Sequence, residues 1–220
     1  MPPALSDDQP RWRRRKEARP AEILDAALTV FAAQGFAAAR LDDIARRAGV
    51  SKAALYLYFE TKEDLFRAAA RSLVAPQLEA IASAIETLDP PFAETLPALL
   101  GRAAAVMSEG RPAQLARMVI GESRNFPDLA RIWQADVVER MLGVVTGLIA
   151  RGQARDEIAP GDPRLFAFTV MGPLVLGALY NAVFGELGEA RCDLAALASQ
   201  HARTVVVGLS LKPSLAVSES

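Results

Sequence analysis

One cysteine and one histidine stand among 220 residues. Cys192 therefore has no disulfide partner within the chain, which fits a reducing compartment and an expected cytoplasmic location. With His201 as the only histidine, no His/Cys metal set can be assembled, and His201 reads as a surface or interface residue. No glycine-rich phosphate loop occurs, so nucleotide-binding chemistry has no footing. No cofactor and no enzymatic activity are expected. Runs of β-branched residues are few, while alanine and leucine are abundant, which favours helices over strands. A clean apolar leader is also missing: Arg13, Arg14 and Arg15 are followed by Glu22 and Asp25, so no signal peptide is expected.

A basic surplus is missing too, because the net charge is −1. Its distribution is uneven. Residues 11–62 carry a net +5 (eleven Lys and Arg, six Asp and Glu), and residues 63–220 a net −4 (fourteen against eighteen). A basic front and an acidic rear point to an anionic partner for the front alone. Within the front, RWRRRKEARP places six basic residues in ten. That stretch reads either as a solvated arm or as an arm lying on a phosphate backbone.

Half of the residues are apolar (51%), enough for a sizeable core, and their spacing is helical. From Pro20 a helix is expected, with Ile23, Leu24, Ala27, Leu28 and Phe31 on one face and Gly35 as its terminator. A short helix over Asp42 to Ala48 follows, then a break at Gly49. A second short helix is capped by Ser51 and runs to about Phe59. A long helix opens at Thr61, where Asp64 completes a variant capping box. Two short helices joined by a tight glycine turn form the helix-turn-helix pattern. The stretch Leu55-Tyr56-Leu57-Tyr58-Phe59 alternates like a strand, yet no partner strand is in sight. On a helix, Leu55 and Phe59 share the inner face, while Lys52, Ala53, Tyr56 and Leu57 face outward.

The segments AEILDAALTVFAAQGF and LDDIARRAGVSKAALYLYFETKEDLF closely resemble the DNA-binding domain of TetR/AcrR-type transcriptional regulators. The resemblance implies an all-α fold of about nine helices. Its parts would be a disordered basic arm over 1–19, a helix-turn-helix domain over 20–66, a ligand-binding and dimerisation bundle over 67–211, and a disordered tail over 212–220. It implies a homodimer on a palindromic double-stranded operator, most simply a repressor released by a small, mostly apolar effector. Arg40, Asp42, Ser51, Lys52, Ala53, Ala54, Tyr56 and Leu57 match positions at or near DNA, and Tyr58 and Lys62 match phosphate-holding ones. Three residues leave the family pattern. Ala54 replaces a common Ser or Thr, Leu57 a polar or aromatic residue, and Asp42 puts an acid where DNA is often contacted. They bear on operator preference, since base-edge contacts specify and phosphate contacts position.

The rear is read as helical throughout, broken at residues 89–91, 110–112, 127, 152 and 161–163, with Pro76 expected to kink or shift the fourth helix. Asp128 to Gln153 is expected as one long amphipathic helix. Leu165 to Gly185 has no charged residue over 21 positions. That run is long enough to span a bilayer, but a helix apolar all round is otherwise buried in a core or between subunits, and no membrane is expected. A family-type homodimer interface would place Gly172, Gly177, Ala178, Ala182, Val205 and Leu209 between subunits. Met107, Met118, Glu122, Phe126, Trp133, Phe168 and Met171 are the candidate effector-pocket residues. The rival reading is an α-helical enzyme or a lipid- or xenobiotic-binding protein without operator affinity.

Overall fold

A computed structural model describes the backbone of residues 11–88, 90–185, 187 and 191–210, and their side chains except at 11–19, 77, 81, 82 and 84–88. The expectations for residues 1–10 and 212–220 fall outside this range. The chain divides into two compact units between Ala69 and Ala70.

In the first unit, α1 (Arg11–Ala38) is helical up to Gly35, whose φ of 80° and ψ of 170° break the spiral. The helix starts nine residues before Pro20, so its backbone runs through the stretch expected to be a disordered arm. The Arg, Lys, Glu and Ala residues there are strong helix formers, and Pro20 removes only one backbone donor. Next come α2 (Leu41–Arg47) and α3 (Lys52–Tyr56). Between them Gly49 sits at φ 67°. Its N–H donates to the carbonyl of Arg46 at 3.2 Å, and that of Val50 to Ala45 at 3.0 Å. This pair of bonds satisfies the last carbonyls of α2 and turns the chain sharply. Only a residue tolerant of positive φ fits there at no cost.

Ser51 caps α3 by accepting from the Ala54 N–H at 3.1 Å. Regular helix ends at Tyr56, three residues short of expectation, and the chain tightens so that the N–H groups of Tyr58 and Phe59 both reach the Leu55 carbonyl. Helix α4 (Lys62–Leu88) opens with the Thr61 hydroxyl accepting from the Asp64 N–H at 3.0 Å and donating to the Asp64 carboxylate at 2.7 Å. The unit closes on Ile23, Ala27, Ile44, Leu55 and Leu65, around a triangle of Phe31, Phe36 and Phe66 rings 5.6–5.8 Å apart. Each such buried ring stabilises by about 1.5–3 kcal/mol.

The second unit takes the rest of α4, in which Pro76 lies without ending the helix. It adds α5 (Phe92–Ser108), α6 (Arg111–Glu122), α7 (Pro127–Trp133), a π-turn (Gln134–Val138), α8 (Glu139–Ala154), α9 (Pro163–Phe184) and α10 (Leu194–Leu209). The residues joining α7, the π-turn and α8 keep helical dihedrals, so the three form one rod, as the sequence suggests. Helix α9 packs on α5, α6, α8 and α10, and α10 lies along α5. Asp162 with Pro163, and Asp193, cap α9 and α10. The Asn181 side chain clamps the Cys192 backbone through bonds of 2.8 and 2.9 Å. Among the described residues the only strand-like pairing is a single bridge between Ile158 and Ser210.

The uncharged run of α9 has two faces. Ala167, Val170, Met171, Leu174 and Ala178 are buried within the unit, while Leu165, Phe168, Leu176, Tyr180, Val183 and Phe184 are exposed. By length and composition, α9 and the Pro20–Ala38 part of α1 could each cross a membrane.

Candidate nucleic-acid interface and effector cavity

The surface of α3 carries little charge. Leu57 is 83% exposed, Tyr56 44% and Tyr58 40%, while Leu55 and Phe59 anchor the other side. Ala53 is exposed and Ala54 half-buried beneath the Ser51 cap. The short helix thus presents a small apolar and aromatic face suited to thymine methyls and sugar edges. Two features at its margins depart from the sequence reading. The Lys52 ammonium, at the start of α3, pairs with the Asp42 carboxylate, at the start of α2, over 2.8 Å. The hydrogen bond to Asp42, reinforced by its charge, raises the Lys52 pKa, so this cation carries its own counterion. Arg46 pairs likewise with Asp43. Arg40 is exposed as the residue preceding α2 and makes no side-chain cap.

Lys62 is the second departure. Its ammonium donates to the carbonyls of Phe36 at 2.7 Å, Ala39 at 3.2 Å and Ala37 at 3.4 Å, and lies 4.5 Å from the centre of the Phe36 ring. The ammonium expected to hold a phosphate is thus engaged within the chain. Lys62 is a poor partner for the dipole of its own helix start, but its side chain is long enough to reach the carbonyl-rich end of α1. All three of its donors point at protein carbonyls.

In the second unit a cavity of about 170 Å³ lies among α4, α5, α6, the α7–α8 rod and α9. Leu73, Val74 and Leu78 line it from α4, Leu99, Ala103, Val106 and Met107 from α5, Trp133, Val137, Val138 and Met141 from the rod, and Met171 and Val175 from α9. Among the described residues Arg102 is the only charged one on the wall. Beside the cavity, the buried Asp136 carboxylate (8% exposed) accepts from the Nε of Arg71 at 2.6 Å, while Arg71 is half-exposed at 50%. Asp136 sits within the π-turn, and the next two residues, Val137 and Val138, form cavity wall. A π-turn widens the helix by a residue and is frequent at functional sites.

These two units also carry the signatures of known sequences. The profile of the tetR family of bacterial regulatory proteins matches residues 23–69, and that of a tetracyclin repressor-like C-terminal domain matches residues 90–183. The chain belongs to the TetR family of transcriptional regulators.

YhgD of Bacillus subtilis (strain 168), an uncharacterized HTH-type transcriptional regulator, is 28% identical over 155 residues, 68% of this chain and 76% of that one. The first curated relatives match at higher identity (42–48%) over only 54–67 residues, so that the chain spans 27–40% of their length. Among solved structures, a protein of Mesorhizobium loti MAFF303099 assigned to the TetR family superposes with a TM-score of 0.72 at 25% identity, over 92% of this chain and all of that one. FadR of Bacillus subtilis, solved with stearoyl-CoA, superposes with a TM-score of 0.68 at 21% identity, over 86% of this chain and 98% of that one.

In this TetR-family chain only three of the seven expected pocket residues, Met107, Trp133 and Met171, line the cavity. Met118 is buried on the opposite side of α6 from Pro112, Ala113 and Ala116, which do line it. Glu122 and Phe126 sit in and beside the α6–α7 turn, off the wall. Phe168 is on the lining face of α9 but about a turn before Met171, and lies exposed beneath Arg164. The aliphatic wall was open to detection in the one-face spacing of Leu99, Ala103, Val106 and Met107 along α5.

Of the six expected dimer residues, five are buried or half-buried within the single chain. Gly177, Ala178 and Val205 are buried within the TetR-family chain itself. A Cβ at Gly177 would stand 2.9 Å from Leu194 Cδ2 and 3.0 Å from Leu197 Cδ2, so the glycine admits α10 against α9. Ala178 is cavity wall, Ala182 and Leu209 are half-buried against the same core, and Gly172 alone of the six is exposed. His201, expected at a surface or interface, is half-buried with its Nε2 3.0 Å from the Val170 carbonyl.

Proposed function

We propose that this regulator is a cytoplasmic homodimeric repressor that grips a palindromic operator and is released by a small, mostly apolar effector. The observation carrying the DNA contact is the Tyr56–Leu57–Tyr58 face, large, outward and uncharged on a helix held by the Ser51 cap and the Gly49 turn. Lys52, Ala53, Ala54, Tyr56 and Leu57 would meet base edges, and Tyr58 and Arg40 the backbone. One helix of this length reads few base pairs, so useful affinity calls for two half-sites about a helical turn apart. The exposed apolar face of α9, from Leu165 through Leu176 to Phe184, is the natural subunit seam, since monomers rarely leave such a contiguous stripe in water.

The apolar cavity supports effector binding, and fold neighbours bind diverse molecules: FadR of Bacillus subtilis holds stearoyl-CoA, and a regulator of Saccharomonospora viridis holds choline. Response requires the effector to prefer one arrangement of the protein over another. Helix α4 runs in one piece from Lys62 to Leu88, and the Arg71–Asp136 pair joins it to the π-turn that forms cavity wall. Displacement of that wall by a bound molecule would reach α4 through this pair. The test is selection of bound duplexes from a random pool at fixed salt. A recovered palindrome is expected, and no enrichment overturns the reading.

A further inference from the structure

The cavity wall is selective in charge as well as in polarity. Apart from Arg102 and the indole of Trp133, its lining offers aliphatic carbons, thioethers and small side chains. A ligand with polar groups along its body would strand them there unpaired. Among the described residues no acid lines the cavity, and Asp136 beside it is paired with Arg71. A cationic ligand would find no counterion among these residues. Arg102 lies one turn beyond Leu99 on the lining face of α5, is exposed, and has no hydrogen-bond or ion-pair partner among the described residues. Its position is that of a cation at the mouth of an apolar chamber. The chamber's 170 Å³ compares with an apolar cavity of about 150 Å³ that holds benzene, which limits the enclosed body to about six to ten non-hydrogen atoms.

We propose that the cavity takes a small amphipathic carboxylate, its apolar body inside and its carboxylate held at the mouth by Arg102. The inference rests on the reading of this cavity as the effector site. Octanoate, 1-octanol and octylammonium share a body of suitable size and differ in the head. Each, below its aggregation concentration, is titrated by calorimetry into the full-length protein and into Arg102→Gln, and operator affinity is followed in parallel. A charge-assisted contact at a partly exposed site predicts that octanoate binds about tenfold more tightly than octanol to the parent, with octylammonium weakest. In Arg102→Gln the preference should fall to within about twofold while octanol binding stays as in the parent. Octanol binding as tightly as octanoate to the parent, or an unchanged preference in Arg102→Gln, overturns the carboxylate and leaves the cavity reading standing. If none of the three binds the parent and none alters operator affinity, the effector-cavity reading fails and this inference with it.

Discussion

Replacing Lys62 with methionine separates two roles that predict opposite results. Methionine keeps an unbranched stem of similar reach and removes the ammonium. The structure then loses the bonds to the Phe36 and Ala39 carbonyls, the longer one to Ala37, and the contact with the Phe36 ring. A hydrogen bond involving a charged group contributes about 1.5–3 kcal/mol and the ring contact about 0.5–1 kcal/mol. Against these stand the rotamer freedom regained, about 1–2 kcal/mol, and water reaching the more exposed Ala37 carbonyl. The net loss is about 2–6 kcal/mol, or at least about 8 °C in melting temperature if the first unit unfolds alone. The assay is thermal unfolding by circular dichroism, together with the salt dependence of operator affinity measured well below the melting point. A residue that only closes the end of α1 leaves the slope of log K against log salt unchanged. A phosphate ligand would flatten it by about 0.9 for each subunit bound to the operator. Unchanged stability together with a flatter slope would refute the internal role drawn here for Lys62.

Five further outcomes follow from the same geometry. Tyr56→Ala should weaken operator binding by about 1–3 kcal/mol without moving the melting temperature, because the ring is outside the core. Asp42→Asn should tighten DNA binding and steepen the salt slope by up to about 0.9 per subunit, since Lys52 loses its internal counterion; weaker binding in a mobility-shift titration would contradict this. Asp136→Asn should blunt effector-induced release of DNA and destabilise the second unit by about 1–3 kcal/mol, below the usual cost of breaking a buried pair because Arg71 is half in water. Gly177→Val should lower the melting temperature at every protein concentration by crowding Leu194 and Leu197, whereas Leu176→Glu should shift the monomer–dimer balance in sedimentation with little effect on the monomer fold.

Ile23, Phe31, Leu55 and Phe59 were legible as core from their spacing alone, and so was the helix-turn-helix, because its determinants are local. A glycine at positive φ, a serine at a helix start and apolar residues four apart act within a few positions of themselves. Tyr56 and Leu57 could be placed outward by the same reasoning. The bilayer-length run of α9 was the ambiguous case. Its composition is uniform, and only its packing on α8 and α10 distinguishes an inner face from the exposed one. Four of the seven expected pocket residues lie off the cavity wall for a related reason: Met and Phe mark apolar environments, but which side of α6 and which turn of α9 meet the cavity depends on where the neighbouring helices cross, and Glu122 and Phe126 fall at the α6–α7 turn.

By itself the sequence determined the all-helical class, the helix-turn-helix and its outward face, since short-range backbone and side-chain chemistry specifies them. Tertiary structure decided the partners of charges and small residues: Lys62 with the end of α1, Lys52 with Asp42, Arg71 with Asp136, and Gly177 with Leu194 and Leu197. A long cationic side chain reaches any acceptor within several ångströms, and a glycine is open to any neighbour. Their roles follow from distances between segments far apart in sequence, which no local pattern encodes.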